Sequence, residues 1–289
     1  MKEPLFTGVC TALVTPFLNG NVNYPMFEQL LRRQMEAGIP AVVVCGTTGE
    51  SPTLTDSEKI NLFRCAVDYA GGNMKIIAGT GSNDTQHTLE LSRMAEDTGV
   101  DGLLVVSPYY NKPTPSGLIA HYETLADSVS LPIILYNVPG RTGVDLPVSV
   151  YRKLCRHPNI AGVKEASSDI IKITKIAAAC GRKLPIWTGN DEMITPAISL
   201  GATGVISVLS NLLPEATKVM TDAALNGDFT TSAAFQVELQ EVIELLFSES
   251  NPIPIKEALR LMGYDCGDCR LPLTGMSPEK RKKLKELLQ

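Results

Sequence analysis

Apolar and β-branched residues gather in eight short runs, at 8–14, 41–46, 75–80, 102–107, 132–137, 160–166, 185–190 and 204–208, whose first residues lie 19 to 34 apart. That spacing is close to the ~30 residues of one strand–helix–strand unit. Runs such as Ala41-Val42-Val43-Val44-Cys45 are apolar without alternation, which predicts strands buried on both faces, as in a parallel sheet covered by helices. The stretches between them switch to a helical period. Phe27, Leu30, Leu31 and Met35 share one face before Gly38, and Thr55 with Glu58 forms a capping box ahead of Ile60, Phe63, Val67 and Ala70. Gly99, Gly181, Gly201 and Gly227 stand where other helices should stop.

Eight such units predict an α/β chain, a (β/α)8 TIM barrel over 1–225 that carries the catalytic site. An open doubly wound sheet is the competing arrangement. It usually announces a nucleotide-binding loop, and the nearest candidate, Gly79-Thr80-Gly81-Ser82-Asn83-Asp84, lacks the third glycine. Beyond Gly227 the strand pattern stops. Segments 229–248, 254–262 and 278–289 predict helices, with Asn251-Pro252-Ile253-Pro254 as a stiff connector, so 226–289 is expected to be a C-terminal helical appendage and not a second catalytic domain.

Composition narrows the function. Hydrophobic residues make up 44% of the 289, enough for a substantial core. The net charge of −5 comes without a basic block that could follow a phosphate backbone, so no nucleic-acid partner is expected. No apolar run approaches the roughly 18 residues that would span a bilayer, which leaves the cytoplasm as the default location. The seven cysteines are irregularly spaced, as reduced thiols are. Cys266 and Cys269 alone have ligand-like spacing, but no second pair accompanies them and His87, His121 and His157 are isolated. No metal is expected.

In a barrel of this kind the site forms at the carboxyl ends of the strands. Those ends carry Gly46-Thr47-Thr48-Gly49-Glu50-Ser51, Ser107-Pro108-Tyr109-Tyr110-Asn111, Tyr136-Asn137-Val138-Pro139-Gly140-Arg141, Lys164-Glu165-Ala166, Thr188-Gly189-Asn190-Asp191 and Ser207. No histidine falls there, which disfavours metal hydrolysis, and two facing carboxylates for glycoside cleavage are not evident. Amine chemistry is left. Alternation puts Gly162 and Lys164 on one side of their strand; if that side is the barrel interior, burial disfavours the ammonium and leaves a neutral nucleophile for a carbonyl. A surface lysine just past the strand is the plainer alternative, and Lys256 is the rival lysine. Tyr136, Thr47 and Tyr110 supply hydroxyls for the proton transfers that a Schiff base requires.

Four motifs in order, Gly46-Thr47-Thr48-Gly49-Glu50, Tyr136-Asn137-Val138-Pro139 with Arg141-Thr142-Gly143, Val163-Lys164-Glu165, and Asn251-Pro252-Ile253-Pro254-Ile255-Lys256, resemble the 4-hydroxy-tetrahydrodipicolinate (dihydrodipicolinate) synthase family of pyruvate-dependent class I aldolases, almost end to end. The resemblance implies a lyase of the diaminopimelate and lysine route, with no cofactor beyond a covalent imine between pyruvate and Lys164. It implies L-aspartate 4-semialdehyde as second substrate, Tyr136 as central proton donor and acceptor, Thr47 as relay, and Tyr110 as a relay lent by the neighbouring subunit. Thr48 would help bind the pyruvate carboxylate, Arg141 that of the semialdehyde, and Gly189 and Ile206 would line the pocket. A homotetramer, as a dimer of dimers, is implied too. N-acetylneuraminate lyase and 2-keto-3-deoxy sugar acid aldolases share the lysine and are the enzymatic alternative; a barrel that only binds is the non-enzymatic one. The lysine-effector pocket of the family corresponds to Ser51, Asn83 and Tyr109. His87 stands where an acidic residue usually holds the effector's amine, and Lys59 where a neutral histidine often sits, so weak or absent feedback by L-lysine is expected.

Overall fold

The computed structural model describes residues 2–288. Its eight parallel strands are β1 (Gly8–Ala12), β2 (Ala41–Val44), β3 (Lys75–Gly79), β4 (Gly102–Val106), β5 (Ile133–Asn137), β6 (Ile160–Glu165), β7 (Ile186–Thr188) and β8 (Gly204–Ser207). Each pairs with its neighbour in sequence, and β1 closes the barrel on β8. All eight apolar runs therefore form strands, and all but β5 end one or two residues before their run does, because those last residues leave the ladder to build the mouth.

Strand side chains divide cleanly between two apolar clusters. Cys10, Ala12, Ala41, Val43, Ile77, Leu104, Ile134, Trp187 and Ile206 fill the inside of the barrel with Phe6, whose ring stacks on Trp187 at 4.7 Å. Val9, Val42, Val44, Ile76, Leu103, Val105, Leu135 and Val163 face outward into the helical layer. Gly162 belongs to the inner set, since a Cβ there would lie 2.5 Å from the Trp187 ring and 2.6 Å from the Pro185 carbonyl oxygen. Glycine at this position thus admits the indole as a plug beneath the site. The β5–β6 ladder changes register after Ile133, with Ile160 opposite Ile133 but Gly162 opposite Ile134. A bulge of this kind re-aims the side chains beyond it, and here it sets Tyr136 opposite Lys164.

Two features depart from the sequence expectation. A short antiparallel ribbon, Phe17–Leu18 with Asn21–Val22, follows β1. Its turn is Asn19-Gly20 with φ of 52° and 81°, the positive pair that a two-residue hairpin demands. The helix expected over 229–248 is two, Phe229–Glu238 and Gln240–Leu246, separated where Leu239 takes ψ of −1°.

Of the C-terminal helices, Phe229–Glu238 packs on the outer helical layer, while Ile253–Leu261 reaches the carboxyl ends of the strands. From the helix Ile253–Leu261, Lys256 reaches Glu50 in the turn after β2 at 2.8 Å, with the two side chains 3% and 1% exposed. The backbone amide of Arg270 donates to the other Glu50 oxygen at 2.9 Å, and Lys256 and Arg270 each lie 4.4 Å from the Phe17 ring centroid. Lys256 is therefore committed to an ion pair. Cys266 and Cys269 in the adjoining loop are free thiols, each pushed up to about 12 by burial. Among the described residues no helix is long and apolar enough to cross a membrane.

Removing one partner of a buried pair strands the other charge. K256M is expected to lower unfolding free energy in a denaturant titration by about 3–5 kcal/mol, and the E50Q/K256M double variant to recover most of it; a K256M cost within ordinary surface scatter would remove this clamp from the account.

Candidate active site

Lys164 ends β6 on the interior side and is 5% exposed. Its Nζ lies 4.4 Å from the ring centroid of Tyr136, the residue opposite on β5. Gly189, just beyond β7, gives the lysine its room: a Cβ at 189 would stand 2.8 Å from Lys164 Cε and 2.7 Å from the Ala166 Cβ. Ile206 of β8 is fully buried in the same interior cluster as Tyr136. The interior placement of Lys164, on which amine chemistry was conditional, is thus met.

Above Tyr136 opens a cavity of about 670 Å³ that also meets Thr47, Arg141, Ser51, Lys59, Asn83, His87 and Tyr109. Most residues singled out in the sequence consequently share one space. Thr47 and Thr48 sit in a tight turn after β2, in which Gly49 N donates to Gly46 O at 3.1 Å and Glu50 N to Thr47 O at 3.1 Å. The amides of Thr47 and Thr48 meet no acceptor among the described residues, and with the hydroxyls they make a cradle suited to a carboxylate. Lys164, Thr48, Gly189 and Ile206 do not line this cavity, and neither does Tyr110. Tyr110 is 88% exposed, with φ of 73°. The three hydroxyls do not assemble within one chain.

On the opposite side of these two strands, the residues that follow Tyr136 and Lys164 point outward and are tied together. Asn137 Nδ2 donates to Glu165 Oε1 and Oε2 at 2.9 and 3.1 Å and to Asp145 Oδ1 at 2.9 Å. The Tyr151 hydroxyl and the Ser167 amide donate to Glu165 at 2.9 Å each, and Lys172 pairs with Asp145. Burial pushes the Glu165 carboxyl above its ordinary range against the pull of these donors. Asp191, after β7, is fully buried and accepts the amides of Val208 and Leu209 at 3.0 and 2.9 Å. Burial raises its carboxyl as well, while its donors and the charge of Lys164 work the other way.

Two residues went unremarked in the sequence reading. Asp56, beside the Thr55–Glu58 capping box, lines the cavity and accepts from His87 Nε2 at 2.8 Å while pairing with Lys59 at 3.4 Å. Burial opposes its ionisation, but the His87 hydrogen bond and the Lys59 charge outweigh that and hold the carboxyl below its usual range. The space around His87 therefore contains a carboxylate after all, already occupied by two basic side chains. Asn251, quoted only as part of the Asn-Pro-Ile-Pro motif, donates from Nδ2 to Thr48 Oγ1 at 2.8 Å and accepts from Arg141 Nη2 at its carbonyl, 3.1 Å away. Among the described residues no group of three or more His, Cys, Asp or Glu is arranged to hold a metal.

Residues 5–289 match the model of the Dihydrodipicolinate synthetase family. The 4-hydroxy-tetrahydrodipicolinate synthase of Thermoanaerobacter sp. (strain X514) is 43% identical over 286 residues, 99% of this chain and 96% of that protein; the enzyme of the same name from Geobacter sulfurreducens is 42% identical over 99% of this chain and 98% of its own length. The crystal structure of dihydrodipicolinate synthase from Aquifex aeolicus superposes with a TM-score of 0.96 at 43% identity, covering 98% of this chain and 97% of that one. A lysine-bound enzyme from Cyanidioschyzon merolae superposes at 0.95 with 38% identity, covering 98% and 97% of the two chains. With a closed eight-stranded barrel, a lysine buried at the end of its sixth strand and likeness along the whole chain, this protein belongs to the dihydrodipicolinate synthetase family.

Proposed function

We propose that Lys164 is the amine on which this chain carries out its family's lyase reaction, the class I aldolase-type condensation of pyruvate with L-aspartate 4-semialdehyde to 4-hydroxy-tetrahydrodipicolinate. One observation carries the assignment: a buried lysine whose nitrogen lies 4.4 Å from the ring of a tyrosine on the adjacent strand. An amine so placed, beside a phenol that can move protons, is suited to attack a ketone.

Lys164 Nζ adds to the pyruvate carbonyl carbon, and the carbinolamine loses water to give an iminium, so the cofactor-free covalent link is to the protein itself. The pyruvate carboxylate rests on the Thr47 and Thr48 amides and hydroxyls. The iminium accepts electrons as a methyl proton leaves, forming an enamine that attacks the aldehyde carbon. The amino group of the second substrate then adds to the imine carbon, closing the ring and expelling Lys164. Tyr136 moves protons in these steps with Thr47 as relay, and Arg141 pairs with the semialdehyde carboxylate through its forked donors. Gly189 and Ile206 shape the pocket floor. Sugar-acid cleavage and a purely binding role are not favoured by the family assignment.

In this reading 1–225 is the catalytic barrel and 226–289 a helical appendage that braces its mouth. The chain works in the cytoplasm, where seven free thiols are at home. Tyr110 serves the neighbouring subunit of a dimer, itself half of a tetramer; its 88% exposure and left-handed backbone supply the support, although a relative described as a monomeric variant stands among the structural neighbours. The effector-pocket residues Ser51, Lys59, Asn83, His87 and Tyr109 bind L-lysine weakly or not at all, because an incoming ammonium must displace Lys59 and His87 from Asp56.

Borohydride reduction in the presence of pyruvate is expected to trap one adduct on Lys164 and none on Lys256; label on Lys256, or full activity in K164A, refutes the assignment. Y136F should fold normally and lose about a hundredfold or more in turnover, which stopped-flow or steady-state rates will register. Subunits of Y110F and K164A, dissociated and reassembled together, should regain about a quarter of the wild-type rate, since half the dimers then hold one complete site. Recovery of nothing beyond the parent variants would put Tyr110 in its own chain's site. A titration with submillimolar L-lysine is expected to leave the rate unchanged, and strong inhibition there would reject the proposed weakness of this pocket.

A further inference from the structure

Two of the seven thiols meet each other. Cys155 caps the helix Val148–Leu154 and Cys180 ends the helix Ile170–Cys180, and these two helices pack side by side around the barrel. Both residues are buried. Cys155 Sγ donates to the Arg152 carbonyl at 3.4 Å, which leaves its lone pairs to the Cys180 thiol, its hydrogen-bonded neighbour. Cys266 and Cys269, closer in sequence, lie instead among the charges of Lys256, Asp265 and Glu50.

We propose that Cys155 and Cys180 are a modification site, oxidised by a peroxide to a disulfide that staples the two helices together. This rests on the packing of the helices and is independent of the condensation assigned above. A disulfide brings its sulfurs to about 2 Å, and two sulfurs in hydrogen-bond contact start a short approach away. Both residues stand at helix ends, where the backbone can shift without breaking an interior turn.

Burial and the neighbouring sulfur push the Cys180 thiol up to about 12, with Arg152 pulling the other way. Little thiolate is therefore present near neutrality, and the pair stays reduced until a strong two-electron oxidant arrives. One thiolate then attacks a peroxide oxygen, the O–O bond breaks, and hydroxide leaves behind a sulfenic acid. The second sulfur attacks the sulfenyl sulfur, the S–O bond breaks, and the oxygen departs as water with the second thiol's proton. Two thiols and one hydrogen peroxide thus give one disulfide and two waters. The link joins elements that support the site, since Tyr151 on the first helix holds Glu165 and Lys172 on the second pairs with Asp145. It also closes a loop of about 25 residues, which constrains the unfolded chain and stabilises the native arrangement.

In the test, the full chain is incubated with hydrogen peroxide at pH 9, where more thiolate forms, then alkylated under denaturing conditions and digested with trypsin without reduction. Peptides 154–156 and 176–182 should appear joined and lighter than their sum by two hydrogens, and Tm should rise by about 5 °C over the reduced chain. Dithiothreitol should reverse both changes. C155S and C180S should each abolish the link and the shift, whereas C266S/C269S should keep them. Cys155 and Cys180 that both stay open to alkylation, sulfinic acid on either without a link, a link to another cysteine in their place, or a Tm that fails to rise would each overturn the proposal. Peptide mapping and melting of the wild-type chain decide these outcomes even where a serine variant folds poorly.

Discussion

The site depends on keeping one lysine inside a packed barrel without a salt-bridge partner. Interiors tolerate such a group only where space and compensation are built around it. Gly189 withholds the side chain that would collide with Lys164 Cε, and Tyr136, which also lines the cavity, presents its ring to the amine. Gly162 works one layer lower by admitting Trp187, which with Phe6 fills the barrel beneath the lysine. The candidate site at the top is thus paired with dense packing underneath.

Alternation along β5 and β6 separates two tasks between consecutive residues. Tyr136 and Lys164 face inward, whereas Asn137 and Glu165 face the helical layer and join Tyr151, Ser167 and Asp145. A bulge after Ile133 supplies the register that makes both pairs opposite each other. Holding inward side chains to a fixed geometry needs such support from the next layer out, and here the chain obtains it from the residues immediately following Tyr136 and Lys164.

The barrel was legible because a parallel strand buried on both sides writes an apolar run, and glycines mark the ends of the intervening helices. Lys164 was legible for a related reason: a cation ending an apolar strand conflicts with its surroundings unless it has a task. Other features lay beyond local pattern. The Asn19-Gly20 hairpin carries its signal in sequence, but the strands on either side are two residues long and write no run. The break at Leu239 leaves no glycine or proline behind. Asn251 meets Thr48 across 203 residues of sequence and Asp56 meets His87 across 31, so neither contact has a period or spacing to betray it. Tyr110 was grouped with the other hydroxyls by type, while its exposed backbone position parts it from them within one chain.

The tie between Glu50 and Lys256 spans 206 residues. A ribosome adding roughly 5–20 residues each second therefore releases the turn after β2 many seconds before its partner helix exists. The strands have the means to pair in the meantime, yet this side of the mouth lacks its brace until the helix Ile253–Leu261 emerges.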